Sequence, residues 1–162
     1  MTKEEIINKL ELELHPSEGG YFRRTYESSQ IINSDNRNRR LLTSIYYMLT
    51  SDSPTGYLHR NKSDIIHFYH SGSPIKYITV APDGKLSEAI LGPDIANGET
   101  PQLLVRGGDW KASRLSSGDY GLISEAVSPG FEYDDNEIAG PEIVSKHYPD
   151  LVAQLSEFIK TQ

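Results

Sequence analysis

The sequence predicts an all-β protein with flanking helices, and three observations carry that prediction. From Leu41 to Ser128 the chain falls into short runs rich in β-branched and aromatic residues. Turn residues punctuate those runs at close, regular spacing, which is the pattern of a sandwich or a barrel. Nowhere does a strand-like run alternate with a long amphipathic helix, so a parallel sheet of strand–helix–strand units is not expected.

Taken in order, Thr2 is a good helix N-cap, and Glu5 three residues later completes a capping box. Ile6, Ile7, Leu10 and Leu14 follow near-helical spacing, so an amphipathic helix is expected over about residues 3–12. His15–Pro16 and Gly19–Gly20 end it, because the residue before proline avoids helical geometry and paired glycines permit a turn. Tyr21 to Tyr26 reads as a strand, and residues 30–40 read as a polar loop. Strands follow over 42–49, 57–60, 64–70, 75–80, 86–91, 102–105, 109–115 and 120–128. Turn chemistry separates them, for example Ser71–Gly72–Ser73–Pro74 and Ala81–Pro82–Asp83–Gly84. A short helix is expected over 141–148, and Asp150 is placed to cap a last helix that aligns Leu151, Leu155, Phe158 and Ile159. The 162 residues fit one domain: a helix over about 3–12, a barrel over about 20–131 and helices over about 141–160.

Composition narrows the function classes. No cysteine is present, which excludes disulfides, thiolate catalysis and thiolate-ligated zinc. With 23 acidic against 16 basic residues the formal charge is −7, and such a surface repels a nucleic-acid backbone. The basic cluster Arg37, Arg39 and Arg40 is expected to be a solvated loop, or else a local anion-binding patch. Met1 to Glu5 lacks the apolar character of a secretion signal, and no apolar run approaches membrane-spanning length. A cytoplasmic protein with no membrane partner is the expectation.

Several motifs then occur in a fixed order. They are His15 to Arg23, Ser44 to Tyr47, His59–Arg60, Ser63–Asp64 with Gly72, Leu91 to Asp94, Gly98–Glu99, Pro101–Gln102, Trp110, and Ser128 to Glu132. Together they resemble the cupin-5 family, a group of cupin-superfamily proteins described as having unknown function. The resemblance implies a double-stranded β-helix, the cupin jelly-roll barrel, with a pocket inside it and assembly as a homodimer.

The same resemblance directs attention to the barrel wall between Tyr57 and Gly72, which holds three of the five histidines: His59, His67 and His70. Metal-binding cupins carry two histidines two apart, a glutamate four residues on and a further histidine from a later strand. At the matching positions this chain has His59, Asn61, Ile65 and Lys111. An ammonium group facing that place would repel a cation, so the usual metal site is not expected and no cofactor is implied. A relocated set of His59, His67 and Glu125 is the alternative, since strand alternation sends Ile65, His67 and Tyr69 inward together. Lys111 and Glu125 would otherwise form an internal ion pair. Tyr46 and Tyr69 are candidate ligand-stacking surfaces or core, and Trp110 a candidate ligand platform or packing residue. His70 is expected to face outward.

Two functions from different classes follow. The first is a binding protein for a small, carbohydrate-like or nucleotide-sugar-like ligand, held by Tyr46, His59, Asn61, Ile65, His67, Tyr69, Trp110, Lys111 and Glu125. The second is a metal-independent sugar isomerase or epimerase, as in the metal-free cupins that the chain resembles. There His59 or His67 would be the general base, Tyr69 or Tyr46 the acid, and Lys111 the group that stabilises an enolate. Arg23, Arg24 and Arg60 near the pocket mouth would favour a phosphorylated ligand.

Overall fold

The capping box forms. In the computed structural model, which describes residues 1–160, Thr2 Oγ1 accepts from Glu5 N–H and Glu5 Oε2 accepts from Thr2 N–H at 2.9 Å. Helix α1 (Lys3–Leu10) stops two residues short of the expected limit, because Glu11 adopts a left-handed conformation at φ 52° and closes the helix. The strands that follow are β1 (Glu13–Leu14), β2 (Tyr21–Glu27), β3 (Ile31–Ser34), β4 (Arg37–Arg40), β5 (Thr43–Thr50), β6 (Thr55–Arg60), β7 (Asp64–Gly72), β8 (Ile75–Val80), β9 (Leu86–Leu91), β10 (Gln102–Val105), β11 (Trp110–Leu115), β12 (Tyr120–Ser128) and β13 (Glu137–Ile138). Helices α2 (Pro141–His147) and α3 (Val152–Leu155) follow the last strand. Among the described residues, no helix is long and apolar enough to cross a membrane.

Two antiparallel sheets make the jelly roll. One has the order β1-β2-β5-β12-β7-β10 and the other β13-β6-β11-β8-β9. Alternation divides the apolar residues among three layers. Tyr47, Leu49, Ile75, Tyr77, Leu91, Leu115 and Ile123 fill the space between the sheets. Met48 and Leu122 point the other way and are covered by Ile6 and Leu12 at the N-terminal helix. Leu58, Ile78, Val80, Trp110 and Ala112 form the outer face of the second sheet, and Val144, Leu155 and Phe158 cover it. Phe158 is 1% exposed, and burying such a side chain contributes about 1.5–3 kcal/mol.

Three expectations are corrected. Residues 30–40 are not a loop: β3 and β4 pair as a hairpin. Asp35 and Asn36 make its two-residue turn at φ 53° and 59°, a conformation that these two residue types tolerate and that two-residue hairpins require. Nor is the basic cluster a solvated or open anion patch. Arg39 is 2% exposed, and its Nη2 lies 2.5 Å from Asp135 Oδ2. Arg37 Nη2 lies 2.6 Å from Asp135 Oδ1, so the acidic stretch after the barrel neutralises the arginines. Third, the last helix is broken. Pro149–Leu151 and Ser156–Phe158 are 3-10 turns on either side of α3, and Asp150 sits inside the first without a side-chain cap bond. Pro149 cannot donate a backbone hydrogen bond at that point.

Candidate functional site

Lys111 leaves β11 pointing into the barrel, with Glu125 on β12 and His67 on β7 facing it. Its Nζ donates to Glu125 Oε1 at 3.0 Å and to His67 Nε2 at 2.8 Å. His67 is fully buried, and its Nδ1 lies 3.2 Å from the carbonyl of Leu103. A carbonyl only accepts, so Nδ1 carries the hydrogen and Nε2 is the lone pair that receives the ammonium. The ring is neutral: burial lowers its pKa, and the Lys111 charge lowers it further. Burial pushes Glu125 upward, but the Lys111 ammonium outweighs it and holds the carboxyl well below the usual range. Tyr77 closes one side, edge-on to His67 with ring centroids 5.0 Å apart.

A second cluster forms where the His15–Gly20 loop meets β6. Gly19 and Gly20 take φ 81° and 71°, and a Cβ on Gly19 would stand 2.3 Å from the Thr55 carbonyl, so only glycine allows this approach. The approach is sealed by Tyr57 N–H donating to Glu18 O at 2.7 Å. It brings the Glu18 carboxylate against His59, with Oε2 3.4 Å from His59 Nε2. His59 Nδ1 faces the Tyr57 carbonyl at 2.6 Å, so Nδ1 carries the hydrogen here too and Nε2 is a lone pair. Burial is the main cause that lowers the pKa of His59, with Lys111 acting in the same direction. His59 Nε2 has no hydrogen-bond partner, and neither does Asn61 Oδ1. His59 is 4% exposed and Asn61 7%. Glu18 Oε1 accepts from Asn136 Nδ2. His15 is oriented by the backbone, its Nδ1 accepting from Glu18 N–H at 2.9 Å. That leaves its Nε2–H turned toward Glu18 Oε2, 3.7 Å away.

Beside these clusters is a narrow cavity of about 40 Å³, lined by His15, Glu18, Arg24, Asn61 and Glu125 on its polar side and by Phe22, Ile45, Ile65, Val127, Phe131 and Tyr133 on its apolar side. Phe22, Arg24, Phe131 and Tyr133 continue outward into an open cleft of about 440 Å³, where Glu132 and Asp134 join them.

Of the residues singled out from the sequence, the fold brings His67, Lys111 and Glu125 into direct contact and places Asn61 and Ile65 on the cavity wall. His59 turns to Glu18 instead of joining His67 and Glu125. Among the described residues, no group of three or more His, Asp or Glu side chains is arranged to hold a metal ion. Tyr46 lies on the outer face with His70, their ring centroids 6.1 Å apart, and His70 Nε2 lies 2.8 Å from Ser124 Oγ. Tyr69 donates to the carbonyl of Gly72 at 2.6 Å. Trp110 is buried beneath the C-terminal segment, with Arg60 stacked 4.7 Å from its ring centroid. Arg23, Arg24 and Arg60 are matched to Glu11, Glu27 and Glu137 at 2.6, 2.9 and 2.7 Å. Sequence reasoning missed Glu18, His15 and Asn136 as site residues, although His15 and Glu18 stand together in the first motif. It also named Tyr46 where Tyr47 is the inward tyrosine, with its hydroxyl donating to Gly19 O at 3.0 Å.

Comparison with known proteins adds the lineage. The Cupin_5 family model, described as cupin superfamily (DUF985), matches residues 4–139. An uncharacterized protein of Saccharomyces cerevisiae is 38% identical, the match spanning 94% of this chain and 84% of the yeast one. A solved structure of a hypothetical protein from Leishmania major superposes with a TM-score of 0.93 at 29% identity, covering 99% of this chain and 100% of that one. A protein from Shewanella oneidensis superposes at 0.90 with 32% identity, covering 100% and 99%.

Proposed function

The chain belongs to the Cupin_5 family of the cupin superfamily, and from that premise we propose that it binds a small, carbohydrate-like molecule in the cleft of about 440 Å³ at the mouth of its barrel, one group of which reaches into the narrow inner cavity. One observation carries the reading. Asn61 Oδ1 borders the narrow cavity and His59 Nε2 faces the cavity-lining Glu18, and both atoms are buried with no hydrogen-bond partner. Leaving such a group unsatisfied costs about 1–3 kcal/mol, so a site that keeps two of them is organised to receive a partner. The apolar and aromatic wall opposite suits the carbon face of a sugar ring, since binding pockets pair apolar walls with a few convergent polar groups. A thermal-shift screen of the full chain against monosaccharides, amino sugars, sugar phosphates and sugar nucleotides tests this. A ligand that binds only the native state raises the melting temperature by mass action. A raised melting temperature that disappears in Asn61→Leu supports the reading, and a flat response across the whole panel sinks it.

A second reading is favoured by the contrast between the two histidines. The lone pair of His67 is taken up by Lys111, whereas that of His59 is unused. If the protein is a metal-independent isomerase or epimerase, His59 is therefore the better general base for a proton next to a carbonyl. Solvent deuterium incorporation into keto-sugars, followed by NMR, tests it. Exchange by the wild type but not by His59→Gln is the expected result, and exchange that persists in His59→Gln rules it out.

A further inference from the structure

We propose that the inner end of the pocket is a site for a primary ammonium group, so that the ligand is an amine-bearing molecule and not a phosphate or a carboxylate. The assignment rests on the binding function above and names its substrate class. The lone pair of His59 Nε2 and Glu18 Oε2 face each other at 3.4 Å, and a third acceptor, the unpaired amide oxygen of Asn61, belongs to the same cavity wall as Glu18. Two acceptors facing each other across 3.4 Å gain nothing from one another, and a donor between them satisfies both. An ammonium has three N–H donors and no acceptor, which matches the count.

Charge leads to the same group. An anion would need a free cation, and the cations around the pocket are already committed. Lys111 is held by Glu125 at 3.0 Å, and Arg24 by Glu27 at 2.9 Å. Arg37 and Arg39 are held by Asp135 at 2.6 and 2.5 Å. Glu18, by contrast, faces neutral histidines and an amide, while Glu132 and Asp134 border the outer cleft. The aromatic wall of Phe22, Phe131 and Tyr133 is compatible with a cation, since ring faces attract positive charge.

Titration calorimetry of the full chain at pH 7.5 with glucosamine, glucose and glucose 6-phosphate tests the assignment, with 2-phenylethylamine and 2-phenylethanol as a pair that lacks the sugar. Glucosamine is expected to bind about tenfold or more tightly than glucose, which corresponds to one charge-assisted hydrogen bond, and glucose 6-phosphate more weakly than either. Glu18→Gln keeps an acceptor for Asn136 and should remove the preference for the amine, bringing the affinity for glucosamine down to that for glucose in the same variant; Asn61→Ala is a second variant for the case that Glu18→Gln does not fold. Glucose binding as tightly as glucosamine, or glucose 6-phosphate binding best, overturns the ammonium site and leaves the carbohydrate reading standing. Phenylethylamine binding that depends on Glu18, with no sugar bound, keeps the ammonium site and overturns the carbohydrate reading. No binding by any of the five overturns both.

Discussion

The clusters around Lys111 and around Glu18 use the same residue types, a histidine beside a carboxylate, in one barrel interior, and they differ in what stands between the two groups. Between His67 and Glu125 the chain supplies its own donor, the Lys111 ammonium, at 2.8 and 3.0 Å. Between His59 and Glu18 it supplies none. The first cluster is closed on itself and its chemistry is spent on holding the sheets together. The second is the same arrangement with the cation left out, which is why it reads as a place for something the chain does not contain.

The strongest way to break this comparison is to take the cation out of the closed cluster as well. Lys111→Met leaves the Glu125 carboxylate buried without its counter-ion. Removing one partner of a buried pair costs about 3–5 kcal/mol. Urea denaturation should show a lowered midpoint at unchanged slope, the shift multiplied by the slope giving a loss of that size. The double variant Lys111→Met with Glu125→Leu removes both charges and should recover most of the loss, because apolar replacement of a whole buried pair is often close to neutral. A single variant as stable as the wild type would mean that the closed cluster is not closed by charge.

Half of this contrast is legible in the sequence. Alternation places Lys111 and Glu125 inside, and a buried charge needs a partner, so their pairing follows from residue type and position. The strands and turns were legible for a local reason: β-formers and turn residues act through their own backbone. Glu18 was not, because it sits in a loop that reaches His59 only through the Gly19–Gly20 turn and its contact with β6. That contact is tertiary and leaves no periodic trace. The choice of Tyr46 over Tyr47 failed for a different reason. Strand β5 is covered on both faces, by the barrel interior and by α1, so its sequence is almost continuously apolar and the period of two that would orient it is hidden. Residues 30–40 were misread because their polar composition hides a pairing that the Asp35–Asn36 turn specifies.

Acidification probes both clusters together, with a smaller effect. His15, His59 and His67 all have pKa values lowered by burial. In the unfolded chain they take up protons near pH 6.5, before the folded protein does. The unfolded state therefore binds more protons as pH falls through that range, and stability drops. The melting temperature should fall by on the order of 5 °C between pH 7.5 and 5.5. Glu125 adds to the loss only once the pH falls into the usual carboxylate range and below, where the unfolded chain takes up a proton that the folded protein does not. In Lys111→Met the fall should be shallower, since the second cause of the lowered His67 value is gone while burial remains. A melting temperature that is flat or rises on acidification would contradict neutral, buried histidines in both clusters.

The smallest expected effect is also the most discriminating. His59→Phe keeps the ring volume and removes the unpartnered Nε2. It loses the bond from Nδ1 to the Tyr57 carbonyl, 2.6 Å long, and sheds the cost of burying an unsatisfied acceptor at Nε2. Each of these is about 1 kcal/mol and they have opposite signs, so the unfolding free energy should change by less than about 1 kcal/mol. The same exchange at His67 deletes a bond to a charged donor and leaves Lys111 short of a partner, so it should cost about 2–3 kcal/mol. Measured side by side by urea denaturation, unequal losses of this kind place the structural weight at His67 and reserve His59 for the ligand. Equal losses would mean that His59 is bound into the fold as tightly as His67. In that case an unpartnered lone pair in this barrel is an ordinary packing residue and not one kept ready for binding.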